Sequence, residues 1–123
     1  MASPVTLCTA QWADLPLEVM AAKAAEMGYD GLELACWGDH VDVTRAANEP
    51  GYAEKQLAIL EKNGLKIWAI SNHLAGQLVC DLNNDGRTDI FAPDELAGDP
   101  EGQRAWAIEQ MKLSAKAAQN MGL

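Results

Sequence analysis

The chain has two histidines, and each ends a polar phrase that follows a short apolar run. His40 closes Cys36-Trp37-Gly38-Asp39-His40, and His73 closes Ser71-Asn72-His73. Imidazole titrates near neutral pH, so it can relay a proton or ligate a metal. Carboxylates lie close by in sequence: Asp39 and Asp42 flank His40, and Glu33 sits between Leu32 and Leu34. A cluster of this kind suits divalent-metal binding or general acid–base work. Glu33 is the most informative of the set, because a carboxylate inside an apolar run is costly to bury without a partner. A structural ion pair is the alternative reading for it, and a carbonyl cap or plain solvation is the alternative for either histidine. Trp12 and Trp37 follow the first and second apolar runs, where an indole walls a sugar ring or covers a helix–strand junction.

These side chains need elements to aim them, and the hydrophobic pattern supplies alternating strands and helices. Residues 5–10 read as a first strand, Gly31–Ala35 as a second and the apolar part of 64–73 as a third. Leu17, Met20, Ala21 and Ala24 recur at helical spacing after the start signal of Asp14 and Pro16, and Gly28 ends that helix. A second helix spans about 52–63 and is stopped by Gly64. Asp99 and Pro100 start a third, with Ile108, Met111, Ala115 and Ala118 inward, and Gly122 ends it. Leu123 then reads as the first residue of a fourth strand. Simple alternation puts Ile67, Ala69, Ser71 and His73 on one face, with Trp68, Ile70 and Asn72 on the other. Trp68 and Trp106 are therefore expected in the core.

Strands alternating with helices imply parallel strands joined by right-handed crossovers. The helix-to-strand links are short, whereas 37–50 and 73–99 are long and polar. Long loops on one rim mark the working face, at the C-terminal ends of the strands, so His40 and His73 are both expected to project there. Three such units leave one sheet face and both edges uncovered, and a complete eightfold barrel takes about 250 residues. The expected architecture is α/β: a partial (β/α)8 TIM barrel, its first three β-α units, with residues 1–123 the N-terminal part of a single barrel domain. A small flavodoxin-like domain is the rival, and it would need more strands.

Composition removes several classes of function. A net charge of −9 over 123 residues, with the basic residues scattered singly, argues against a nucleic-acid partner. No apolar run approaches a membrane span and no signal peptide is visible, so neither a membrane nor export is expected. The cysteines Cys8, Cys36 and Cys80 form no close pair, which reads as reduced thiols in a cytoplasmic protein. There is no phosphate-binding loop, dinucleotide fingerprint, nucleophile elbow or Cys-x-x-Cys. The stretch 81–89 carries Asp81, Asn83, Asp85, Gly86 and Asp89 at calcium-loop positions, but its twelfth position is Ala92 where a bidentate carboxylate is required. An Asn/Asp/Gly-rich turn is the better reading.

Three phrases taken together, Gly28-Tyr-Asp-Gly31-Leu-Glu33-Leu34, Cys36-Trp37-Gly38-Asp39-His40 and Ala69-Ile-Ser-Asn-His73-Leu74, resemble the xylose isomerase-like TIM-barrel superfamily, nearest its sugar phosphate isomerase/epimerase branch. The resemblance implies an isomerase or epimerase that moves a proton next to a carbohydrate carbonyl, aided by Mn²⁺, Mg²⁺ or Co²⁺. It implies metal ligands mostly on later strands, outside this chain. His73 and Glu33 would then be catalytic, and Trp12, Trp37, Asp39, His40 and Asn72 would bind a small-molecule carbohydrate. Self-association is compatible with that picture. Two other readings stand beside it. One is a non-catalytic carbohydrate- or metal-binding module. The other is a metal-dependent endonuclease-like phosphodiesterase, whose histidines after the second and third strands ligate zinc, as His40 and His73 would here.

Overall fold

The computed structural model describes residues 2–123. Its elements run β1 (Thr6–Cys8), α1 (Leu17–Glu26), β2 (Gly31–Ala35), α2 (Val43–Asn48), α3 (Tyr52–Lys62), β3 (Lys66–Ser71), α4 (His73–Gly76) and α5 (Pro100–Asn120). Short 3-10 turns lie at Ala10–Trp12, Gln77–Val79, Asp89–Phe91 and Asp94–Leu96. The three strands pair in parallel in the order β1-β2-β3. This is part of a (β/α)8 barrel, as the alternation predicts. No helix among the described residues is long and apolar enough to cross a membrane.

The helix ends explain why strands follow so promptly. Gly28, Gly64 and Gly122 all have positive φ. The next residue then donates its N–H back into the helix: Tyr29 to Ala24, Leu65 to Leu60 and Leu123 to Ala118. Glycine tolerates that left-handed turn, which satisfies the last carbonyls and swings the chain back toward the sheet. Behind the sheet, Leu32 and Leu34 meet Leu17, Met20, Ala21 and Ala24 of α1 and Ala53 and Leu60 of α3, all buried. Burying a leucine of this kind contributes about 1.5–3 kcal/mol.

Strand β3 departs from simple alternation. Leu32 pairs with Ile67, but Glu33 pairs with Ala69, so Trp68 is an extra residue opposite the Leu32/Glu33 junction. A bulge of this type puts two successive side chains on one face. Ile67 and Ile70 consequently both pack toward the helices, while Ala69 and Ser71 share the open face with Glu33 and Ala35. The expectation that Trp68 is core is overturned. It is 43% exposed, and its ring lies against Gly31 where any Cβ would collide with it. Only glycine at position 31 leaves room for the indole and for the Lys66 carbonyl oxygen, which a Cβ would also meet.

Two helical expectations also change. The segment 37–50 contains α2, started by Asp42, whose side chain accepts from Arg45 N–H at 3.0 Å. In α5 the inward face is Gln103, Ala107, Ala117 and Met121, buried, with Gln110 and Ser114 part-buried between them. Ile108 is 38% exposed and Ala115 is exposed. Glutamines and a serine on the inward face misdirected the hydrophobic count, because this helix packs on polar loop backbone and on α2. Asn120 donates to Ala46 O at 2.9 Å, satisfying a carbonyl at the C-terminal end of α2 that the helix itself leaves open, and Lys116 donates to Asn48 Oδ1 at 2.9 Å.

Candidate functional site at the strand ends

The C-terminal end of β3 carries His73, exposed, as the first residue of α4. Two contacts hold its ring. Ser71 Oγ lies 2.9 Å from Nδ1, and the Trp37 indole meets the imidazole edge-on with centroids 5.1 Å apart. Ser71 is on the open face because of the bulge, and Trp37 follows β2, so adjacent strands converge on one imidazole. With Nδ1 engaged by the hydroxyl, Nε2 has no hydrogen-bond partner among the described residues.

His40 does not join it. The expectation that this histidine projects over the rim fails, because it is fully buried. Its Nδ1 lies 2.8 Å from Thr9 Oγ1 and its Nε2 lies 3.0 Å from Leu15 O. A carbonyl only accepts, so Nε2 carries the proton and Nδ1 accepts from the Thr9 hydroxyl. Thr9 Oγ1 in turn accepts from Ala35 N–H at 3.0 Å. The result ties the end of β1, the β1–α1 loop and the end of β2 together with every donor matched. Thr9 was invisible as a site residue in the sequence; its only signal is a hydroxyl just after an apolar strand. Gln56, also buried, donates to Asp39 O at 3.1 Å and to His40 O, which fixes the same loop.

The remaining residues divide by role. Asp39 accepts from Leu17 N–H at 3.0 Å and so caps α1 from the β2–α2 loop. Asn72 donates to Ser114 Oγ at 2.9 Å, joining the end of β3 to α5. Trp12 is 37% exposed in the turn after β1. Glu33 is half-buried on the open face, level with Ala69 while Ser71 is level with Ala35. Glu33 therefore sits about 6–7 Å deeper along the sheet than Ser71, and no hydrogen bond joins it to His73. Behind the rim, Cys36, Trp37, Asn72, Phe91, Trp106 and Gln110 enclose a pocket of about 250 Å³. Burial pushes the Cys36 thiol up to about 12, offset in part by a backbone hydrogen bond with Ser71.

A family model for the xylose isomerase-like TIM barrel matches residues 21–123. The chain belongs to that family. Comparison with curated proteins gives no match. Membership of the xylose isomerase-like barrels places the chain among generally enzymatic folds of sugar isomerase and epimerase type. The matched span takes in Glu33, His40 and His73 and leaves out β1 with Trp12.

For a xylose isomerase-like barrel a divalent metal is the implied cofactor, and the donors of this chain do not make a site for one. Among the described residues no three His, Cys, Asp or Glu side chains converge, and both nitrogens of His40 are occupied. The calcium-like stretch is a turn in this respect too. Asp85 pairs with Arg87, and Asp89 accepts from Gly98 N–H and from Gln103.

Proposed function

We propose that this chain supplies the substrate-facing β2–β3 side of a sugar or sugar phosphate isomerase/epimerase barrel that transfers a proton next to a carbohydrate carbonyl. The observation that carries the reading is the held imidazole of His73, steadied by Ser71 and Trp37 at the C-terminal end of a barrel strand. In (β/α)8 enzymes that rim is where the chemistry sits. Glu33 lies deeper on the same face, and no hydrogen-bond or ion-pair partner of its carboxylate is found among the described residues. It is suited to accept a proton or a sugar hydroxyl. His73 Nε2 exchanges a proton with a substrate oxygen, and Trp37 and Trp12 offer indole faces to the C–H side of a sugar ring. Any Mn²⁺, Mg²⁺ or Co²⁺ would be held by side chains beyond this set, and no step here runs through it.

The test is solvent deuterium incorporation at the carbon next to the carbonyl, over a panel of ketoses and inososes, with and without added Mn²⁺. His73→Ala and Glu33→Gln should each lower exchange by about 10²–10⁴-fold. Exchange that survives both substitutions unchanged would sink the assignment. The phosphodiesterase reading has lost its first ligand, because His40 is engaged inside the fold.

A further inference from the structure

The β3–α5 connection, residues 77–99, is tied down along its length by the first turns of α5. Arg104 donates to Val79 O at 3.2 Å and to Asp81 O at 2.7 Å. Gln103, fully buried, holds the far half. Its Nε2 donates to Asp89 Oδ1 at 2.6 Å and to Leu96 O at 3.0 Å, and its Oε1 accepts from Thr88 Oγ1 at 3.0 Å. One amide thus uses both hydrogens and its oxygen on three separate loop positions. A buried glutamine is tolerated only when its polar groups are matched in this way.

The clamp leads to the strand-end site. Asp89 opens the 3-10 turn Asp89–Phe91, Phe91 lines the same pocket as Trp37, and Trp37 meets the His73 ring. We propose that Gln103 is a positioning residue for His73: it sets the Asp89–Phe91 turn, which fixes Trp37 and through it the imidazole. This rests on the isomerase/epimerase reading for its catalytic consequence, but the positional part can be measured without turnover. Displacing a packed group of this kind by an ångström can cost on the order of a hundredfold in rate.

The chain has only two histidines, so the Cε1–H proton resonances of His73 and His40 report the site and the fold separately. Gln103→Met keeps the side-chain length and removes all three hydrogen bonds. It should displace the His73 signal, as the Trp37 ring current on it changes, while His40 stays in place. Turnover on the responsive substrate should fall roughly ten- to hundredfold. An unmoved His73 signal overturns the proposal. If Gln103→Met disturbs both signals, Thr88→Val decides, since it cuts one bond of the clamp; His73 must then move alone, and any other result overturns the proposal. A displaced His73 signal in a protein with no proton exchange on any sugar would sink the isomerase reading and leave the positional role of Gln103. Exchange with an unmoved signal would do the reverse.

Discussion

At the residue scale the two histidines show how environment, not identity, assigns a role. His40 is buried between a hydroxyl and a carbonyl acceptor. His73 has one nitrogen oriented and the other facing out. Thr9→Val keeps the shape but strands both Ala35 N–H and His40 Nδ1, so unfolding in urea should show a loss of about 1–3 kcal/mol. Cys36 offers a second test. Its folded pKa is raised by desolvation from the ordinary 9.0 to about 12, so the unfolded thiol ionises first. The stabilisation is fully present below pH 9.0 and is lost as pH rises toward about 12. Under native conditions near pH 8, a thiol reagent should label exposed Cys80 rapidly and part-buried Cys36 far more slowly, because its raised pKa leaves less thiolate. Rapid modification of Cys36 in the folded protein would contradict its raised pKa.

At the element scale the bulge in β3 decides which side chains face the working side of the sheet. Without it, Ala69 and Ser71 would fall on the helix side, away from Glu33. The indole of Trp68 needs the space over Gly31, so Gly31→Ala should lower stability by about 1–3 kcal/mol through overpacking. Gly28→Ala meets open space and pays only for its φ of +85°, about 1–2 kcal/mol. Pairing each with Trp68→Ala separates the causes. Trp68→Ala should recover only part of the loss at Gly31→Ala, because the Lys66 carbonyl still meets the added methyl, and should leave Gly28→Ala unchanged, as measured by thermal midpoint.

At the scale of the whole molecule the acidic residues are dispersed, and many are already employed. Asp85, Glu49, Glu101 and Glu109 pair with cations on the surface, and Asp39, Asp89 and Asp99 accept backbone N–H groups. Titration calorimetry of this chain with Ca²⁺ or Mn²⁺ should therefore show no site tighter than about 1 mM. A tight stoichiometric site would overturn the turn assignment for 81–89.

Much of this architecture was written in local pattern. Helix-ending glycines, 3.6-residue spacing in α1 and α3, and short apolar runs dictate alternating strands and helices, because turn geometry and periodicity act over a few residues. Membership of the family was readable in the same way, from the phrases around Gly31, His40 and His73. Tertiary structure decided the rest. Trp68 leaves the core because a strand register depends on its neighbour, and a bulge has no compositional mark. His40 turns inward because Thr9 and the Leu15 carbonyl, distant in sequence, match its two nitrogens. Gln103 becomes a clamp because its loop partners arrive only when α5 docks. Each of these outcomes rests on a contact made only once the chain is folded, which periodicity does not record.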